Sequence, residues 1–370
     1  MRSAKNRSLL GVNEDFERKR NDKIHFLFSL FYIYMKRSVL LGFSGGIDSC
    51  TSARILTDAG YRVVALTIDT MGDNAMVTKA RTKAEELGVE WIVYDAREEF
   101  KREIIDYFCH EYALGHTPAP CTRCNPHIKW RILKNEADRL GIEHIATGHY
   151  FNITKRDGLY YVTKGADETK DQSYYLWGLS QDILSRALTP MGNAIKSDVK
   201  RDFADKSESM GICFLCGLPY ADFLHNMGIK MEAGDIVNSR GEVCGKHNGI
   251  ARYTIGQRRG VGIPEGLRVV GIDASHNNII VGKNEELYHH KLTVAECNII
   301  SREELLTAND ITIKIRGIGR NPERPVSFEP TAEGYIITTD DPAWAPAIGQ
   351  PVVFYRNNCV IGGGIVVKFN

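Results

Sequence analysis

Two groups of residues in this chain have the types and spacing to do chemistry. The first is Gly42-Phe43-Ser44-Gly45-Gly46-Ile47-Asp48-Ser49, which follows the apolar run Ser38–Leu41 and precedes an amphipathic stretch ending near Leu56. Glycines let the backbone approach a phosphate, successive N–H groups point into one concavity, and a helix N-terminus adds partial positive charge, so the segment reads as a pyrophosphate cradle. It lacks the Gly-Lys-Ser/Thr of a Walker loop, whose lysine reaches the β- and γ-phosphates. The plainer alternative is a tight strand-to-helix turn with a serine as N-cap.

The second group is two C-x-x-C pairs, Cys121/Cys124 and Cys213/Cys216. A thiolate near a helix N-terminus with a neighbouring arginine has a lowered pKa, which favours Cys124 beside Arg123 as a nucleophile, with Cys213 as its partner. The two pairs could instead bind zinc as a structural site of four thiolates or ligate an iron–sulfur cluster, although about 90 residues separate them, far more than in a compact zinc ribbon. Cys50, Cys109, Cys244, Cys297 and Cys359 have no such context and read as structural.

The elements that must position these residues follow from periodicity. Ser38–Phe43 is a continuous apolar run fit for a buried parallel strand. Tyr61–Asp69 predicts a second strand, Val77–Leu87 a helix closed by Gly88, Val89–Ala96 a third strand, Ile128–Leu140 another helix, and Ile142–His149 another short strand. Such alternation implies an α/β fold with a doubly wound sheet and a ligand crevice at the C-terminal strand ends. Past about residue 217 short β-rich runs replace the helices, and from about residue 291 period-2 strands predict a closed or nearly closed β-barrel. The expected organisation is an N-terminal extension (1–34), an α/β domain carrying the phosphate loop and both cysteine pairs (35–216), a small central domain (217–290) and a C-terminal barrel (291–370).

Composition bounds the function. The 370 residues suffice for two or three domains, and 43% hydrophobic and 25% charged residues are ordinary for soluble globular proteins. A net charge of +1 provides no global field for a polyanion, so any nucleic-acid binding must rest on local basic patches. Gln257-Arg258-Arg259 and Lys200-Arg201 are candidates for phosphate contact, or else solvated basic turns. Nine cysteines without a secretion signal argue for free thiols in a reducing, cytoplasmic setting. The apolar stretch Ile24–Met35 is too short to span a bilayer, which needs roughly 20 residues. Met35 reads as the natural start, with the residues before it an upstream extension.

The Ser-Gly-Gly-x-Asp-Ser form resembles the PP-loop of ATP pyrophosphatases, which cleave between the α- and β-phosphates and adenylate a substrate. Across essentially everything from Met35 onward the chain is similar to the tRNA-specific 2-thiouridylases of the MnmA/TrmU family. The matching segments, in order, are GFSGGIDS (42–49), TPAPCTRCN (117–125), IATGHY (145–150), KDQSYYLWGL (170–179), GICFL (211–215) and YTIGQRRGVGI (253–263), with GQPVVFY and IGGGI near the end. The resemblance implies a PP-loop ATP pyrophosphatase domain, a small central domain and a C-terminal β-barrel.

It also implies a chemistry. ATP, with Mg2+, adenylates the C2 oxygen of the wobble uridine of tRNA, and a persulfide delivered by a sulfur-donor protein forms on Cys213 and attacks the activated carbon. Cys124 assists by releasing sulfide from the persulfide or through a transient disulfide with Cys213. The resemblance places ATP contacts at Gly42 to Ser49, Ile68 and Gly148, and tRNA contacts at Lys170, Asp171, Gln172, His149, Gln350 and Arg316. The expected form is a monomer without membrane attachment. The chain departs from the family at Cys121, where many members carry aspartate, at the additional thiol Cys216, and in a short stretch between Thr70 and Val77. Members with C-x-x-C at the first motif have been considered for iron–sulfur ligation, for which Cys121, Cys124 and Cys213 would be ligands.

Overall fold

In the computed structural model, residues 37–201, 211–259, 262–315 and 321–370 are described. The expectations about residues 1–34, Met35 as the start, and Arg316 fall outside them. The first sheet is parallel, in the order β3 (Glu90–Asp95), β2 (Arg62–Asp69), β1 (Ser38–Gly42), β4 (His144–Thr147) and β7 (Ala187–Leu188). Val39, Leu40 and Leu41 of β1 are wholly buried, as a central strand covered on both faces must be, which is why this strand reads as an unbroken apolar run. Connection order reverses between β1 and β4, so the crevice forms where those two strands end, at Gly42 and Thr147.

Helix α1 (Ile47–Asp58) follows β1, and α2 (Asn74–Glu86) follows β2, starting where the Asp73 carboxylate accepts the Ala75 and Met76 N–H groups. The sequence reading contained no helix between β3 and the first cysteine pair. The structure places α3 (Arg97–Phe100) there, continuing through a π-helical stretch, Lys101–Asp106, into α4 (Tyr107–Ala113). Phe100, Ile104 and Phe108 line its buried face. Then come α5 (Pro120–Cys124), a second π-helical stretch (Asn125–Lys129) and α6 (Trp130–Leu140). Pro126 has no N–H to return to the preceding turn, which breaks the regular α ladder directly after the cysteines. Helix α7 (Gln181–Arg186), N-capped by the Ser180 hydroxyl, leads into β7.

A second sheet joins β10 (Arg268–Asp273), β11 (Asn278–Gly282), β8 (Ala233–Asn238) and β9 (Val243–Asn248) in that order. The third has β13 (Ile311–Lys314), β16 (Pro351–Arg356), β17 (Cys359–Phe369), β12 (Tyr288–Ile299), β15 (Gly334–Trp344) and β14 (Val326–Pro330) as its curled path. The hairpin of β5 (Phe151–Arg156) and β6 (Leu159–Lys164), which leaves the first sheet right after β4, pairs onto β17 at Thr163 and Cys359. Val353, Tyr355 and Val360 of the barrel share one apolar cluster with the helices of the first sheet, so these two parts meet through a packed core.

Candidate active site

The cradle is built by sterics. Gly45 has φ +70, and a Cβ there would stand 2.8 Å from the Ala80 Cα of α2, so glycine is required both by the backbone conformation and by the approaching helix. The N-cap of α1 is Gly46, with no side-chain hydrogen bond to the first turn. The serine-cap alternative therefore fails, and the N-terminal N–H groups of α1 face the crevice without a side-chain acceptor, the arrangement a phosphate oxygen satisfies. Ser49 instead donates its hydroxyl to the Gly46 carbonyl (2.9 Å), and Thr67 from β2 donates to the Phe43 carbonyl (2.9 Å), pinning the loop to the sheet. Gly148 closes the opposite wall: a Cβ there would lie 3.1 Å from the Asp48 carbonyl carbon and the Ser49 nitrogen. Ile68 sits at the C-terminal end of β2, half-buried against the main apolar cluster.

Asp48, in the first turn of α1, is held from two directions. The Tyr150 hydroxyl donates to its Oδ1 (2.8 Å), and the Lys196 ammonium lies 2.6 and 2.8 Å from its two oxygens. Lys196 opens α8 (Lys196–Arg201) and is itself buried. Neither partner was recognised from sequence, because no local pattern ties residues 48, 150 and 196 together.

The cysteines sit differently from expectation. Cys124 lies at the start of the second turn of a helical run that begins at Pro120 and continues through the π-helical stretch into α6, but the Arg123 guanidinium is engaged elsewhere, donating to the Glu103 carbonyl (3.0 Å) and lying 4.5 Å over the Tyr107 ring. Burial accordingly pushes the Cys124 thiol up to about 11, with Lys129 pulling it back only in part, and the expected lowering of its pKa does not occur. The nearby cation is Lys129, five residues on, at the end of the π-helical stretch that Pro126 imposes. Burial would lower its pKa, but negative charge on Cys124, Cys121 and Cys213 outweighs this and holds the ammonium above the usual lysine range. Lys129 also acts, after burial, to push His149 down to about 3, leaving that imidazole neutral, stacked on Trp130 and 2.7 Å from the Thr147 hydroxyl. Cys213 is exposed at the start of a 3-10 turn, Cys213–Leu215, anchored by Phe214, whose ring packs against Phe100, Phe108 and Phe223. Cys216 is exposed, in a left-handed conformation, with its thiol toward the Cys213 carbonyl (3.7 Å).

Of the residues expected at tRNA, Asp171 and Gln172 are committed to shaping their own loop. Asp171 accepts from the Gly165 and Ser173 N–H groups and the Ser173 hydroxyl, and Gln172 exchanges hydrogen bonds with the Tyr150 backbone (both 2.9 Å). Lys170 stands half-exposed on that loop. Gln350 is buried in the barrel beside Gly349, while Arg258 and Arg259 are exposed and Arg201 pairs with Asp198 (2.6 Å).

The residues present do not fit an iron–sulfur cluster or a four-thiolate zinc site. Either needs several ligands converging on one point, and among the described residues no three His, Cys, Asp or Glu side chains gather closely enough to hold a metal. Cys121→Asp is therefore expected to stay within about threefold of wild-type activity, the range of a substitution that removes no buried partner, and its carboxylate gains Lys129 as a neighbour. Quantifying 2-thiouridine by mass spectrometry checks this, and a loss beyond about tenfold would contradict it.

A parallel sheet with a glycine-rich turn leading into a helix that no side chain caps, followed by two further β-sheets, defines an α/β protein with appended β domains. The tRNA methyl transferase HUP domain profile matches residues 37–217, the tRNA methyl transferase PRC-barrel domain residues 221–283, and the aminomethyltransferase beta-barrel domain residues 289–366. The tRNA-specific 2-thiouridylase MnmA 2 of Phocaeicola vulgatus is 39% identical over 347 residues, covering 89% of this chain and 97% of that protein. The MnmA proteins of Clostridium acetobutylicum (35%; 90% of this chain, 100% of that one) and of a Nostoc species (36%; 90% and 99%) are similar throughout. The chain belongs to the MnmA family of tRNA-specific 2-thiouridylases. Among the described residues no helix is long and apolar enough to cross a membrane.

Proposed function

We propose that this protein uses ATP to activate the wobble uridine of a tRNA and replaces its C2 oxygen with sulfur carried on Cys213. The observation that carries the reading is a continuous chain of neighbours. The cradle packs on Gly148, the next residue His149 feels the charge of Lys129, and Lys129 shares its surroundings with Cys121, Cys124 and Cys213. This run of neighbours supports phosphate chemistry and thiol chemistry serving one site.

In the first step the uridine O2 bonds to the α-phosphorus of ATP. The bond from that phosphorus to the bridging oxygen breaks, its electron pair leaves with pyrophosphate, and the N3 proton passes to water. The N-terminal N–H groups of α1 and the Gly45–Gly46 turn bind the phosphates. Asp48 and the phosphates suit a magnesium ion travelling with ATP, which needs only one or two carboxylates and would supply charge neutralisation. The C2 carbon now bears a good leaving group.

In the second step the terminal sulfur of a Cys213 persulfide attacks C2 and AMP departs. The Cys124 thiolate then attacks the Cys213 sulfur, forming a Cys124–Cys213 disulfide and releasing 2-thiouridine, with N3 regaining its proton. A dithiol reductant restores the cysteines, and a persulfide-bearing donor protein recharges Cys213, whose exposure leaves it accessible. Neutral His149 can donate or accept a hydrogen bond at the base without placing a second cation beside Lys129. The target base must leave the anticodon stack to reach this depth.

Incubating the protein with tRNA, ATP and a persulfide donor is expected to yield 2-thiouridine and AMP in equal amounts. AMP without thiolated base, or neither product, would refute the reading. Because the Cys124 thiol sits near 11, the thiolate-dependent release in single-turnover experiments is expected to rise about tenfold per pH unit from about pH 7 to 9. A flat profile would remove Cys124 from that step.

A further inference from the structure

We infer that Lys196 is a catalytic residue of the adenylation step, its ammonium binding the pyrophosphate leaving group; the inference builds on the proposed ATP chemistry. Residues 42–49 contain no cation, so the loop by itself offers only N–H groups and a helix terminus to a group that leaves with several negative charges. The structure brings one in from 148 residues away. The Lys196 ammonium lies 2.6 and 2.8 Å from the carboxylate oxygens of Asp48, inside the mouth of the cradle, and 5.6 Å from the centre of the Tyr150 ring. Only 7% of the residue is exposed.

Its placement is built. The Lys196 backbone N–H donates to the Asp167 carboxylate (2.9 Å), which also accepts from the Thr169 N–H and hydroxyl, so the first turn of α8 is tied to the loop carrying Lys170. Val199 packs with Tyr150 and Met191, and Ile47 of α1 lies against the same cluster, fixing α8 against the cradle. A purely structural role for the pair is a poor account, since the desolvation of two charges roughly cancels their attraction and an apolar pair of similar volume would hold these elements as well. A charge-bearing role does account for it. With nucleotide bound, Asp48 would hold the accompanying Mg2+, and Lys196 would lie beside the phosphates. As the bond from the α-phosphorus to the bridging oxygen breaks, the electron pair goes to pyrophosphate and the ammonium neutralises part of the charge that develops there.

The test compares Lys196→Met and Lys196→Arg with wild type. Lys196→Met is expected to lower tRNA-dependent AMP formation at saturating ATP by about a hundredfold or more, with a smaller change in KM for ATP, and Lys196→Arg to restore a substantial part. Wild-type turnover in Lys196→Met would overturn the inference. Binding of inorganic pyrophosphate without metal, followed by calorimetry, needs no tRNA and so separates this inference from the tRNA reading. There Asp48→Asn, which keeps the lysine and relieves its pairing, is expected to bind pyrophosphate at least about tenfold more tightly than the double variant Asp48→Asn/Lys196→Met. The double variant removes both charges of the pair together, which protects the comparison from a folding defect. Equal binding by the two would also overturn the assignment, whereas a wild-type protein that binds pyrophosphate but forms no AMP with tRNA would count against the substrate alone.

Discussion

Cys213→Ser is expected to abolish 2-thiouridine formation, by at least about a thousandfold, the scale seen when a covalent nucleophile is removed. An alcohol cannot carry a transferable sulfane sulfur, and Cys124 is a poor substitute because it is buried with its thiol held near 11. The fold should be indifferent. Cys213 is exposed, while its turn is held by Phe214 and Leu215, so oxygen for sulfur removes no packing. Binding of tRNA and of ATP should match wild type, and Cys216→Ser should thiolate normally. The measurement is 2-thiouridine per protein in a single turnover beginning from the persulfidated enzyme. Product from Cys213→Ser above the uncatalysed background would show that another cysteine delivers the sulfur.

The two motifs singled out Cys124 and Cys213, but the electrostatics around them were not legible. Cys124 does lie near the start of its helix, but burial outweighs that position, and Glu103 with Tyr107 draws Arg123 off. Both partners come from the helix spanning residues 97–113, which went unrecognised. The cation that does matter, Lys129, is five residues from Cys124, a spacing that brings two side chains to one side only because Pro126 opens the helix into a π turn. An ordinary α-helical count of three or four passes over it.

The sheet was readable for the opposite reason. A strand buried on both faces must be apolar at every position, as Val39, Leu40 and Leu41 are, and a loop that lets α2 approach within a Cβ radius must be glycine, as Gly45 is. Those constraints act residue by residue and leave a local trace. The hairpin 151–164 shows the limit: its alternating residues are compatible with an edge on either sheet, and only the pairing of Thr163 with Cys359 decides that it joins the barrel. Likewise nothing around Lys196 announces that it will be buried against Asp48.

That ion pair governs what a cradle mutation will show. Asp48→Asn is expected to reduce AMP formation at least about a hundredfold, because it removes the carboxylate that pairs with Lys196 and that, in the proposed reaction, would hold Mg2+, while keeping an oxygen to accept from the Tyr150 hydroxyl. Asp48→Ala should lose activity to a similar degree but also stability, by about 2 kcal/mol, since it takes every acceptor at this position away from a buried ammonium; the figure lies below that of a fully buried pair because Asp48 keeps 36% of its side chain in water. Stability and chemistry therefore separate across the two variants, with thermal unfolding distinguishing them and AMP release failing to do so. The separation follows only if Lys196 remains charged and in place after the carboxylate is gone. Equal unfolding temperatures for Asp48→Asn and Asp48→Ala would mean that the ammonium finds water or another acceptor, and that the pair is looser than its 2.6 Å contact implies.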